Sequence, residues 1–231
     1  MMPGDAPRGE PVASTGRAQA NAALLAALTT EHGALQNARS STVFETNGRM
    51  AQYLSVVSGT VIALAFIGQV SVLGDAFFAF ALTALPALCV LGLLTFQRCV
   101  DSATEDLFSA LAIARIRQYY QQIAPDAGRY LLLSGHDDPA GVLQNMGLAL
   151  TRWPLLSHSS TMVLAVTAMI GGVFTALGAV AAVDATVASS AACGVVVASA
   201  SAVGLYWHQS RHWRTATANV GARLPTAPPR A

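Results

Sequence analysis

Between Arg49 and Arg98 the chain carries one charged side chain, Asp75, at the midpoint of a long apolar stretch. Leu54–Leu73 and Phe77–Phe96 are each about one membrane thickness of apolar residues. The link Gly74-Asp75-Ala76 leaves room only for a tight reversal, so the pattern predicts a helical hairpin that crosses a bilayer twice. Trp153 to Ser210 repeats the design around a single acidic residue, Asp184. Its spans are expected at about Met162–Val183 and Thr186–Trp207. The fold class predicted is an all-α membrane protein, with four transmembrane helices in two hairpins plus a cytoplasmic helical module.

The intervening segments read differently. Residues 1–16 are rich in Pro, Gly and charge and are expected to be disordered. Residues 17–50 turn helical, with Gly33 and Gly48 as candidate breaks and no sustained heptad. The first hairpin occupies 51–97 and a cytoplasmic helical segment 98–157. The second hairpin occupies 158–209, and 210–231 form a cytoplasmic tail. No Gly or Pro interrupts Leu93–Ala124, which fits one long helix running out of span two. A fresh helix at Asp101 competes with this, because Ser102-x-x-Glu105 matches a capping box. Leu107, Phe108, Leu111, Ile116, Tyr120 and Ile123 would be its buried stripe, and Pro125 ends it. Asp138 before Pro139 predicts a helix start, with Val142, Leu143, Met146, Leu150 and Trp153 as its apolar face.

Small residues at four-residue spacing predict where helices approach closely. They are Ala51, Ser55, Gly59 and Ala63 in span one, Gly172 and Ala176 in span three, and Ser190, Gly194, Ala198 and Ala202 in span four. These ladders make a homo-oligomer the expected assembly. Pro86 should strain span two unless Thr83 or a neighbouring helix takes up the freed carbonyl.

Composition sharpens the membrane reading. The chain is 53% apolar and 11% charged, against about 25% charged in a soluble domain. All thirteen basic residues are arginine, a bias that suggests a GC-rich bacterial genome. The net charge of +1 gives no support to nucleic-acid binding. Cys89, Cys99 and Cys193 form no CxxC pair, so neither disulfides nor a zinc site are expected. No signal peptide is recognisable, and span one is expected to act as an uncleaved insertion signal. The arginines fall in the N-terminal segment, in 98–152 and in the tail. That distribution puts both termini and the middle segment in the cytoplasm of a cell whose inner membrane the chain spans. Tyr53, Phe96, Trp153, Tyr206, Trp207 and Trp213 would anchor that face.

Candidate chemistry is sparse. His136-Asp137-Asp138 is the one cluster suggestive of metal or acid-base work, yet the further ligands a metal needs are not spaced around it. The span centres hold no ionisable group, which disfavours coupled transport. Asp101, Glu105, Asp106, Arg115, Arg117, Tyr119 and Tyr120 form a constellation able to take a nucleotide or other anion. The competing reading is a charged helix face paired with the N-terminal helices. No catalytic residue, metal or cofactor is assigned. The expectation is a non-enzymatic, oligomerising membrane effector or scaffold with a cytoplasmic segment that senses a protein or nucleotide. The alternative is a membrane enzyme or anion-binding protein working through 98–152.

Three stretches carry a resemblance. They are Phe44-Glu-Thr-Asn-Gly-Arg-Met-Ala-Gln-Tyr-Leu-Ser-Val-Val-Ser-Gly-Thr-Val-Ile-Ala-Leu-Ala, Arg115-Ile-Arg-Gln-Tyr-Tyr, and Tyr130-Leu-Leu-Leu-Ser-Gly-His-Asp-Asp. In these the chain resembles an uncharacterised family of bacterial four-span integral membrane proteins, over roughly residues 40–210. In architecture it is also similar to the transmembrane effector modules of SLATT and Pycsar type. That second resemblance implies assembly in the membrane in response to a nucleotide signal.

Overall fold

The computed structural model describes residues 11–147, 159–183 and 186–218. Five α-helices account for most of them: α1 (Pro11–Val70), α2 (Asp75–Ile123), α3 (Pro139–Asn145), α4 (Ser159–Val183) and α5 (Val187–Ala218), with a 3₁₀ turn at Pro125–Arg129. No strand occurs among the described residues. Helices α1, α2, α4 and α5 are each long and apolar enough to cross a membrane. The chain is therefore a multi-pass membrane protein in composition and helix length.

α1 is one helix of 60 residues and α2 one of 49. Neither candidate break, Gly33 or Gly48, interrupts α1, which leaves one helix there rather than two. A glycine inside a helix costs only about 1 kcal/mol against alanine, and a continuous hydrogen-bonded ladder on both sides outweighs it. Residues 11–16, read as part of a disordered segment, belong to this helix. α2 takes the first of its two predicted forms and runs through Asp101 without a break. Ser102 is buried mid-helix and caps nothing. Pro86 is accommodated, but not through the carbonyl it frees at Leu82. The Thr83 hydroxyl donates instead to the carbonyls of Ala79 and Phe80, at 2.9 and 3.0 Å.

The reversal between α1 and α2 lies at Ser71–Gly74, earlier than the expected Gly74–Ala76. Val72 and Leu73 hold it with positive φ angles of 50° and 58°, a conformation that is strained for a β-branched residue. Gly74 is the N-cap of α2, and Asp75 lies in the first turn, where its charge complements the helix dipole. From this turn the two helices run back along one another. Gly68 lies against Phe77, Tyr53 against Gly92, Glu45 beside Arg98 and Arg39 beside Asp106.

α2 is the central helix, with α1 and α4 packed along it and α5 packed on α4. α4 runs antiparallel to α2, as Cys89 opposite Gly171 and Gly92 opposite Thr167 require. α5 runs parallel to α2, pairing His208 with Gln97 and His212 with Asp101. One core of Tyr53, Leu85, Leu88, Phe96, Val163 and Leu164 fills the span region. A second, of Leu107, Ala110, Leu111, Val142 and Ala216, lies further along α2.

Two close approaches fix the packing. At Gly92 a Cβ would sit 2.3 Å from Thr167 Oγ1 and 2.6 Å from the Tyr53 hydroxyl. Glycine is what lets Tyr53 reach across α2 to hydrogen-bond Thr167 at 2.9 Å. Between α4 and α5, a Cβ on Gly172 would meet the Gly194 carbonyl at 2.5 Å and the Ala198 methyl at 2.8 Å. A Cβ on Gly194 would meet the Gly172 carbonyl at 2.7 Å and the Ala176 methyl at 3.0 Å. The span-one ladder behaves differently: Ser55 and Gly59 are exposed, Ala63 is half-buried, and nothing lies within 4 Å of a Cβ at Gly59.

Other expectations are corrected. Tyr53 and Phe96, read as interfacial anchors, are 1% and 2% exposed and belong to the core. Trp207 is exposed, and the Arg211 guanidinium stacks 3.8 Å from its ring centre. In the stripe predicted for α2, Leu107, Leu111 and Ile116 are buried, whereas Phe108 and Ile123 are about half exposed. α3 ends at Asn145, with Gly147 at φ +73°. Leu150, Trp153 and Asp184 lie outside the described residues.

Candidate functional site

Beyond the spans, α1 and α2 continue together, and their seam changes character. The half-buried positions of α1 include Leu28, His32, Leu35, Arg39, Thr42 and Thr46. This is three-four spacing carrying polar side chains where a coiled coil would carry aliphatic ones. Arg39 binds Asp106 through two hydrogen bonds, at 2.6 and 3.1 Å. Nearer the spans, Glu45 accepts from Arg49 and Arg98, and Arg98 also reaches Glu105. Hydrogen bonds from Arg49 first, then Arg98, hold the Glu45 carboxyl below its usual range. Where α5 joins, Gln97 donates to Asp101 and accepts from His208 Nε2, while His212 lies 3.9 Å from Asp101.

The segment after α2 folds back onto it. Ser134 and Asn145 exchange hydrogen bonds of 2.8 and 2.9 Å, closing the loop before α3. Asp138 caps α3 by accepting from the Gly141 amide at 2.8 Å. Gly135 lies so close to α2 that a Cβ there would stand 2.9 Å from the Gln121 amide oxygen. That approach delivers Asp137, 1% exposed, to Arg115 at 2.9 Å.

The candidate ligand-binding residues Arg115, Arg117, Tyr119, Tyr120, His136 and Asp137 thus do not form one site. Arg115 and Arg117 are two positions apart, about 200° around a helix, and they serve different faces of α2. Arg115 is joined to Asp137, with His136 beside it. With Asp137 buried and Arg115 about a third exposed, the pair acts as a clamp that holds the loop on the helix, and losing Arg115 would strand a buried carboxylate. Arg117 faces α1. Tyr120, one turn further on, stands with its ring 6.0 Å from that of His32. Tyr119 is half-buried and joins neither group by any contact described.

Sequence reasoning missed His32 altogether. Its signal is visible only in three dimensions, where α1 brings it to Tyr120 across 88 residues of chain. Arg117 is 8% exposed and has no hydrogen bond or ion pair among the described residues. Burial, and then the charge of Arg39, push its pKa down. Burial, and then the charge of Arg117, do the same to His32. The His32 Nδ1 atom is itself buried without a partner.

Two clefts open beside these helices. One of about 130 Å³ lies between α1, α2 and α4, lined by Thr46, Ser102, Asp106 and Ser160. Another, of about 260 Å³, lies between α1 and α2 near the start of the spans, lined by Arg49, Gln52, Val56 and Leu94. No group of three or more metal-ligating side chains occurs among the described residues. Set against family models, curated proteins and solved structures, the chain matches none of them.

Proposed function

We propose that this is a non-enzymatic protein of the bacterial inner membrane that assembles with copies of itself. Its spans form two transmembrane hairpins. Both termini and the 98–157 segment lie in the cytoplasm as a helical module that senses a soluble ligand or partner. The orientation rests on the arginines, none of which lies near the α1–α2 turn.

The observation that carries the reading is continuity. α1 and α2 each pass without interruption from a membrane-length apolar stretch into a polar seam. A ligand that favours one arrangement of the seam therefore biases the arrangement of the spans. Self-association is supported by α1, whose most apolar window is only 11% buried by its own chain and whose Ser55–Gly59 ladder has no partner within it.

The test is oxidative crosslinking in native membranes, in a background without Cys89, Cys99 and Cys193. Ser55→Cys should give disulfide-linked dimers or larger species, and Val61→Cys, exposed on another face of α1, should not. No crosslinking at Ser55, or equal crosslinking at both, would refute assembly through the ladder.

A further inference from the structure

We propose that Arg117, with His32 and Tyr120, binds the phosphoryl group of a small soluble phosphate compound between α1 and α2. The inference deepens the reading above by naming the ligand class of the sensing module, and it rests on that reading for its consequence in the membrane.

The starting point is an uncompensated charge. A guanidinium buried without a carboxylate or hydrogen-bond acceptor is costly, and proteins pair such groups or give them a ligand. Of the acids on α2 and the loop after it, Asp106 is held by Arg39 in a two-bond fork, Glu105 by Arg98, and Asp137 by Arg115. None of these carboxylates pairs with Arg117. Arg39 adds its field, and His32 brings a buried ring nitrogen that has no partner. A planar guanidinium fork near an imidazole, with the Tyr120 ring against that imidazole, suits a tetrahedral oxyanion with several acceptor oxygens. A phosphoryl group fits better than a carboxylate, because its extra acceptor oxygen can meet the His32 ring while two others face the guanidinium.

Location selects the source. Arg117 is roughly 30 Å along α2 from Phe96, where the apolar span ends. That distance removes it from lipid headgroups and leaves a ligand in solution. Access is also built in. Every side chain described from Thr15 to Ala27 is exposed, and Leu28 and His32 are the first positions of α1 to be even partly covered. The site thus sits where α1 stops being held, and an anion bridging His32 and Arg117 would pin that end of α1 onto α2.

The experiment uses the full chain in detergent with inorganic phosphate as the probe, and chloride at matched ionic strength as the control. Phosphate should raise the thermal midpoint of the wild type and should bind by calorimetry. Arg117→Met fills the same space without charge. In phosphate-free buffer it should melt above the wild type, and it should lose at least tenfold in phosphate affinity. His32→Gln should keep the fold and weaken binding. If Arg117→Met does not insert, Arg117→Lys decides: it keeps the charge without the fork and should bind several-fold more weakly than the wild type.

A wild type indifferent to phosphate, or variants that respond as it does, would overturn the proposal. So would a fall in phosphate-free stability on Glu31→Gln as large as the gain on Arg117→Met, since the exposed Glu31 beside His32 would then be the counterion. Crosslinking at Ser55→Cys is read separately, so failure to bind phosphate and failure to assemble are distinct results.

Discussion

The Thr167 hydroxyl has one proton to give, and the Val163 carbonyl, 2.8 Å away, takes it within the same helix. The hydrogen bond between Tyr53 and Thr167 must then run from the tyrosine to the threonine oxygen. The two ends of this contact are therefore unequal. Tyr53→Phe removes a donor and leaves Thr167 bonded, at a cost of about 0.6 kcal/mol as such bonds average in membranes. Thr167→Val keeps the shape but strands a buried phenol proton, costing about 1–3 kcal/mol. Reversible unfolding in mixed micelles should rank them in that order; equal losses would mean that Tyr53 finds another acceptor. At this scale the sequence was least informative. Tyr53 and Phe96 stand near the ends of apolar runs, where aromatic residues commonly meet headgroups, and only packing shows that both turn inward. The same limit joined Arg115 to Arg117, neighbours along the chain that the helix sends to different partners.

Helices α4 and α5 touch backbone to backbone at Gly172 and Gly194, so their contact should fail when either position gains bulk. Gly194→Leu would drive a side chain into the Gly172 carbonyl and should cost about 1–3 kcal/mol or more. Val196→Leu, at a position exposed on α5, should be close to neutral in the same unfolding assay. Comparable stability of the two variants would remove Gly194 from the interface. The ladders of α4 and α5 were legible because a small-residue repeat in an apolar helix has few other uses. The seam of α1 was not. Its three-four spacing continues from Leu28 to Ile67, but His32, Arg39, Thr42 and Thr46 occupy positions where a hydrophobic pattern is sought. Polarity hid the period because these side chains meet ion pairs and other polar groups on α2. α1 also passes Gly33 and Gly48 unbroken, both on its exposed side, while the positions around them pack along α2.

For the molecule as a whole, the orientation drawn from the arginines can be tested at two sites the structure leaves open. Val72 in the α1–α2 turn is 86% exposed and Leu132 in the loop before α3 is 93% exposed, so a cysteine at either should react freely. In intact cells an impermeant maleimide should label Val72→Cys, and it should label Leu132→Cys only after permeabilisation. The reverse pattern would turn the protein over. Four helices long and apolar enough to cross a membrane were readable from charge and apolar length. The folding of residues 125–147 back onto α2 was not, because it depends on Gly135, Asp137 and Asn145 meeting partners set by the helix. The contact of Tyr53, Gly92 and Thr167 has a mechanical consequence. It ties three helices together partway along α2, roughly 26 Å from Asp75 and roughly 46 Å from Ile123. If α2 moves as a rigid rod, that knot is its fulcrum and the two arms are unequal. A tilt of about 10° there would swing the Ile123 end by roughly 8 Å and the Asp75 end by roughly 4 Å. A broad, low-force displacement outside the membrane would thus be geared down to a short, stronger one at the turn, and weakening the knot should leave both ends intact but unlinked.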